Sequence, residues 1–254
     1  MIKSNIPIII ILLLFVIVFL FTYEKKSLEG FDDNKIPKII IQTWKDDDPP
    51  KKYYNEIASI RKYNPDYKYL FFTDETIDEF IKDFYPEYYK VFKRLPVNIQ
   101  KIDFFRYIAV YHYGGFYFDL DMLCLEPLDD LLQYDAVFPQ DLTVYERKCL
   151  AKMPRYVNIC KNKNIKFLVG QYAFGAKKND PFIKALIDNI ANNIDKIAKN
   201  KDDSLMFVYE TTGPDYVTNV YLDWDDKQNV HILRYQQDQC FGKYAIHNHY
   251  GTWK

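Results

Sequence analysis

Residues 101–121 read KIDFFRYIAVYHYGGFYFDLD. Two periods meet in that stretch. Apolar side chains first recur at helical spacing, which predicts a helix over about 97–112. Gly114-Gly115 then stop it, because glycine tolerates backbone conformations that other residues resist. FYFDLD follows as a short extended run that closes on two aspartates, Asp119 and Asp121. Asp is a poor strand former and costly to bury without a partner, so two of them in an apolar run need a reason.

The same alternation of helix and strand extends in both directions. IPKIIIQTW (36–44) reads as a buried first strand, KDDDPP (45–50) as a loop and 51–63 as a helix. YKYLFFTD (67–74) is a second strand, and 75–94 is helical with an interruption at Pro86. Downstream, 135–141 and 165–178 contain strand-like runs, and 229–235 is a late strand. In 180–200, Phe182, Ile183, Leu186, Ile187, Ile190, Ile194 and Ile197 keep the three-to-four spacing of an amphipathic helix, with Asp180 as N-cap and Pro181 in the first turn. Helices alternating with strands predict an α/β fold built on a central, mostly parallel sheet.

The chain has 254 residues and a net charge of −1, so bulk electrostatics argue against a nucleic-acid partner. Its N-terminus is a different material. Residues 6–21, IPIIIILLLFVIVFLF, carry no charge, and Thr22 and Tyr23 extend the run. Eighteen apolar residues at 1.5 Å each span roughly 27 Å, enough for a bilayer core, and no small-residue cleavage site follows. The expected layout is a membrane anchor over 1–23, a charged stem over 24–35 and one folded domain over 36–254. Lys3 before the span and Lys25 and Lys26 after it leave the orientation open. The four cysteines form no C-x-x-C; Cys149 and Cys160 are open to two readings, a disulfide pair or free thiols.

Side chains two apart on an extended segment point the same way, so Asp119 and Asp121 on a strand would face one hard cation. Carboxylates suit Mn²⁺ or Mg²⁺, usually with substrate phosphates completing the shell. The bland alternative is a pair of solvated acids in a strand-end turn. Two further features weigh against it. Asp103 and Arg106 stand i, i+3 on the preceding helix and share a face, though a surface ion pair would look the same. The chain also closes on HNHYGTW (247–253), which holds two of its four histidines. His247 or His249 would join the two aspartates in a divalent metal site.

IPKIIIQTW, KIDFFRYIAVYHYGGFYFDLD, TTGP (211–214) and HNHYGTW follow one another as they do in glycosyltransferases of family 32. These D-x-D enzymes include initiating α-1,6-mannosyltransferases and inositol-phosphoceramide mannosyltransferases. The pattern is more distantly similar to the sugar-transferring domain of large clostridial toxins. The resemblance covers roughly 36–254 and implies a GT-A-type nucleotide-sugar-binding fold. It implies a metal-dependent, retaining transfer of a hexose from a GDP- or UDP-sugar to a glycan, glycolipid or protein hydroxyl. For an anchored enzyme, a Golgi- or ER-like membrane, an envelope or a host membrane would each serve. By position, Trp44 resembles the aromatic that stacks on the base, with a core Trp as the alternative. Tyr117 lies near the ribose or is simply a buried strand tyrosine. Asp103 resembles the residue that bonds the sugar hydroxyls, and Arg106 one that contacts sugar or diphosphate. Asp119 looks like the residue touching ribose and metal, and Asp121 like the direct metal ligand. His247 matches the family's C-terminal histidine, with His249 the competing choice, and Thr252 and Trp253 lie beside the diphosphate. Two departures stand out: Ile41 replaces the usual His before Gln-Thr-Trp, and Gln171 replaces the usual Asn of a later block.

Two other readings compete. F-D-x-D also opens haloacid-dehalogenase-like phosphatases, but Gly-Thr is absent after the second Asp and some 80 residues of α/β pattern come first. A membrane-anchored carbohydrate-binding protein with a decayed site is the non-enzymatic reading; four coexisting polar motif residues argue against decay.

Overall fold

The computed structural model describes residues 35–141, 167–200, 202, 204–234, 236 and 240–251. The expected anchor, the expected stem up to residue 34, Cys149, Cys160, Thr252 and Trp253 lie outside them. Among the described residues no helix is long and apolar enough to cross a membrane. Cys124 is a buried free thiol, and Cys240 is buried as well.

Nine strands alternate with helices among the described residues. The strands are β1 (Ile39–Thr43), β2 (Lys68–Phe72), β3 (Gly115–Phe118), β4 (Met122–Cys124), β5 (Ala136–Asp141), β6 (Leu168–Val169), β7 (Ala173–Ala176), β8 (Val230–Leu233) and β9 (Ala245–His247). The α-helices are α1 (Tyr54–Tyr63), α2 (Asp74–Phe84), α3 (Pro86–Arg94), α4 (Asn98–Tyr113), α5 (Pro181–Lys199), α6 (Leu205–Thr211) and α7 (Pro214–Asp223). Pro86 starts α3 at its first position, where its missing N–H costs nothing. Asp180 caps α5 by accepting from the Phe182 and Ile183 amides at 2.9 and 3.0 Å. All seven apolar residues picked out by spacing in α5 are buried.

The main sheet runs β2-β1-β3-β7-β5-β6, with β8 also on β5. It is mixed, which corrects the expected mostly parallel sheet. β1 runs parallel to β2 and β3, and β5 parallel to β8. β7 is antiparallel to both β3 and β5. A strand covered on both faces reads as one apolar run whichever way its neighbours point, so composition does not carry direction. Side chains alternate between two cores. Ile39, Ile41, Tyr117, Phe138 and Phe174 face α4 and α5, while Ile40, Phe116, Phe118 and Val137 face the other side. Ile41 is fully buried in the first core, so the position of the family's histidine is apolar packing here.

α4 is the central support of the fold. Every residue from Asp103 to Val110 is buried, as expected of a helix covered all round. Gly114 and Gly115 end it at φ values of +68° and +91°. A Cβ on Gly115 would sit 2.5 Å from the Ile39 carbonyl oxygen. The double glycine therefore both turns the chain and lets β3 pack directly on β1.

Candidate active site

β3 ends at Phe118, one residue before the first aspartate. Asp119 and Asp121 thus lie in a turn, not on an extended strand, which corrects the geometric basis of their pairing. The Met122 amide closes that turn on the Asp119 carbonyl at 3.2 Å, and the Asp119 amide donates to the Tyr172 carbonyl at 2.8 Å. Leu120 between them is buried, and both carboxylates reach one cavity. The turn is pinned by β4, which pairs antiparallel with β9 and sets His247 opposite Met122. Three residues are too few for a strand pattern to show, so sequence periodicity could not place His247.

The outcome is one ligand group: atoms of Asp119, Asp121 and His247 all lie within 4.8 Å of one another. His247 Nε2 is 3.2 Å from Asp121 Oδ1, and its Nδ1 is buried with no partner among the described residues. A buried orphan of that kind calls for a ligand, and two carboxylates with an imidazole fit a divalent cation. His249 packs against His247 with ring centroids 4.0 Å apart and the planes tilted by 43°, but falls outside the group.

Asp103 and Arg106 are 1% and 3% exposed, which rules out a surface ion pair. Arg106 Nη2 stands 3.1 Å from Asp103 Oδ1 and Nη1 3.4 Å from Asp119 Oδ1. Arg106 Nη1 also donates to the Gln171 carbonyl at 3.0 Å and to the Gln171 side chain. Its plane lies over the Tyr117 ring, 4.5 Å from the centroid. Asp103 accepts from Thr212 Oγ1 at 2.7 Å and from Gln171 Nε2 at 3.3 Å. Gln171, in the place of the expected Asn, is therefore wired to both members of the pair. Thr212 belongs to the TTGP stretch, whose role the sequence left blank. Tyr117 is buried, and its hydroxyl reaches the site: it donates to Asp119 Oδ1 at 2.9 Å and lies 3.2 Å from Thr43 Oγ1.

These groups share a small volume, and their charges are tuned apart. Burial pushes the Asp103 carboxyl up to about 6, against the pull of Arg106. Burial raises Asp119 as well. At Asp121 burial acts upward too, but the bonds from His247 and the Tyr250 amide win and hold it below its ordinary value. Paired acids whose environments separate them in this way mark functional sites.

The cavity is about 480 Å³, the size of a small-molecule site. Trp44, just past the end of β1, lines one end beside Lys45 and Asp74. It is half-buried and outside both cores, which disfavours the reading as a core Trp. Arg106, Asp119, Asp121 and His247 line the same space.

The chain is similar to several known proteins. A family model described as a glycosyltransferase sugar-binding region containing a DXD motif matches residues 50–138. Inositol phosphoceramide mannosyltransferase 3 of Schizosaccharomyces pombe is 32% identical over 189 residues, 74% of this chain and 46% of that protein. Inositol phosphoceramide mannosyltransferase 1 of the same yeast is 44% identical over 101 residues, 39% of this chain and 32% of that one. The chain thus spans less than half the length of these yeast relatives. Glycosyltransferase L373 of Acanthamoeba polyphaga mimivirus is 26% identical over 236 residues, covering 86% of this chain and 84% of that protein. Among solved structures, the PaToxG glycosyltransferase superposes with a TM-score of 0.50 at 17% identity, over 77% of this chain and 73% of that one, a likeness of fold alone. Fold and motif agree: residues 50–138 match a glycosyltransferase sugar-binding region containing a DXD motif, and the chain is similar to yeast mannosyltransferases and to a mimivirus glycosyltransferase.

Proposed function

We propose that this protein transfers a hexose from a nucleoside-diphosphate sugar to an acceptor hydroxyl, with retention at the anomeric carbon. One observation carries the reading: Trp44, Arg106 and the Asp119–Asp121–His247 group converge on one cavity. Relatives named as mannosyltransferases make GDP-mannose the first donor to test. The acceptor class, whether glycan, glycolipid or protein, stays as broad as the resemblance leaves it. The uncharged run 6–23 is read as the membrane anchor on its length and composition alone.

In this reading Trp44 stacks on the base, a contact worth about 1–3 kcal/mol. The Tyr117 hydroxyl and Asp119 form the floor beneath the ribose. Asp103 accepts from the sugar hydroxyls and fixes the reactive pose. Arg106 supplies fixed positive charge where the diphosphate departs. Asp119, Asp121 and His247 would hold Mn²⁺ or Mg²⁺, which when bound supplies Lewis-acid stabilisation to the leaving diphosphate. The acceptor oxygen bonds to the anomeric carbon, the bond from that carbon to the diphosphate oxygen breaks, and the leaving phosphate takes the acceptor's proton. Asp103 is engaged by Thr212, Gln171 and Arg106. It is therefore no free nucleophile, and front-face attack fits.

A donor-hydrolysis screen tests the proposal. With Mn²⁺, one of GDP-mannose, UDP-glucose, UDP-galactose or UDP-N-acetylglucosamine is hydrolysed, and EDTA abolishes the signal. If none is hydrolysed while p-nitrophenyl phosphate is, the phosphatase reading replaces this one.

A pH dependence follows from Asp103. Its carboxyl is raised to about 6, and only its ionised form accepts two sugar hydroxyls. At saturating Mn²⁺, which keeps protons from competing at the ligands, kcat/KM falls as pH drops through about 6. A flat profile from pH 5 to 7 would remove Asp103 from donor binding.

A further inference from the structure

We propose that Glu56 seats the C-terminal segment on the Asp119–Asp121–His247 group and thereby sets the protein's grip on a divalent cation. The inference rests on the metal reading above. Glu56 itself lies outside the ligand group. It is a positioning residue, far away in sequence on α1.

Glu56 is 4% exposed. Its Oε1 accepts from Asn248 Nδ2 and from the Tyr250 hydroxyl, both at 2.8 Å. The same two residues grip Asp121 from the other side. The Asn248 amide donates to the Asp121 carbonyl at 3.0 Å, and the Tyr250 amide to Asp121 Oδ2 at 2.9 Å. Glu56, Asn248, Asp121 and Tyr250 thus close a ring of hydrogen bonds around the segment that leaves His247.

Two features set the ring apart from an incidental contact. His249, held between the two latched residues, has φ +51°. A non-glycine residue stays in that left-handed region only when its surroundings fix it. Glu56 Oε2 is also buried without a partner among the described residues. Among the described residues the hydrogen bonds to the Glu56 carboxylate come from the tail, so undocking the tail would leave that carboxylate without them. The seat also reaches the base end of the cavity, because the Tyr250 ring packs on Tyr53 at 5.5 Å and Tyr53 on Trp44 at 5.2 Å.

The test is Mn²⁺ binding by the full chain, followed by the electron paramagnetic resonance of free Mn²⁺. Glu56→Ala weakens binding by about tenfold or more, the usual effect of losing a partner that orients ligands. Glu56→Gln, whose amide oxygen still accepts both bonds, restores the affinity to within about threefold. Tyr250→Phe, a change at a residue 39% exposed, keeps the backbone bond to Asp121, folds normally and weakens Mn²⁺ binding by an intermediate factor. The double variant with Glu56→Ala binds no more weakly than Glu56→Ala alone, because both remove one interaction. Saturating Mn²⁺ recovers most of kcat in Glu56→Ala. If Glu56→Ala and Tyr250→Phe bind Mn²⁺ as wild type does, the inference is overturned while the metal reading stands. If wild type binds no Mn²⁺, the metal reading itself fails and takes the inference with it.

Discussion

Replacing Asp121 by alanine lowers sugar transfer by roughly 10³-fold, the equivalent of about 4 kcal/mol at the transition state. The side chain carries three duties at once. It is a member of the ligand group, it stands 3.2 Å from His247 Nε2, and it accepts the Tyr250 amide at 2.9 Å. Alanine deletes all three, so metal-dependent nucleotide binding disappears with turnover. Asp121→Asn separates charge from shape: its amide oxygen keeps the bond to the Tyr250 amide, but the negative charge is gone. Both variants lose Mn²⁺-dependent binding of GDP or UDP by calorimetry, while asparagine retains the wild-type unfolding temperature. Donor hydrolysis that survives Asp121→Ala unchanged would show that the acid pair does not carry the chemistry.

Arg106→Ala damages both the fold and the reaction. The guanidinium is the cation placed between Asp103 and Asp119. Its removal leaves the buried Asp103 and the half-buried Asp119 carboxylates without a countercharge, a loss of about 3–5 kcal/mol in stability. The sign of the pH effect can be stated. Asp103 is already raised to about 6 by burial, and without Arg106 it rises further. A carboxyl raised in the folded state supports folding at pH below its unfolded value. That support is lost as pH climbs through its folded value. The alanine variant is therefore closer to wild type in thermal unfolding at pH 5 than at pH 7.5; an equal loss at both would refute the assignment. Arg106→Lys holds the fold by keeping the charge. A point ammonium does not span Asp103, Asp119 and the Gln171 carbonyl together as a planar fork does. It loses about 10²-fold in kcat/KM.

Much of the scaffold was legible because its signals are local. The spacing over 97–112, the double glycine, and the Asp180–Pro181 start of α5 each state one element without help from the rest of the chain. Asp103 and Arg106 were legible as partners from i, i+3 spacing. Their burial was hinted at only by the apolar residues on every side of α4. The direction of β7 was not legible, because a strand covered on both faces looks alike in either orientation. The end of β3 before Asp119 was also misread. The extended pattern FYFDLD continues past the last pairing, and only the Met122 amide turning back to Asp119 shows the break. His247 was found through resemblance, but its place beside Asp121 depends on the β4–β9 pairing, too short for any periodic signal. Glu56 left no trace at all: its partner Asn248 is 192 positions away, and a lone Glu on a polar helix looks like a solvated one.

The contact between Gly115 and Ile39 has a practical consequence for engineering. With no room for even one methyl group there, β3 and β1 are interlocked at the point where α4 hands over to the strand before Asp119. That contact fixes the start of the short strand that leads from the helix of Arg106 to the turn of Asp119. A side chain at Gly115 would break that packing before it altered the cavity. Directed libraries for new donors belong instead at Lys45, Asp74 and Asn98, which line the cavity.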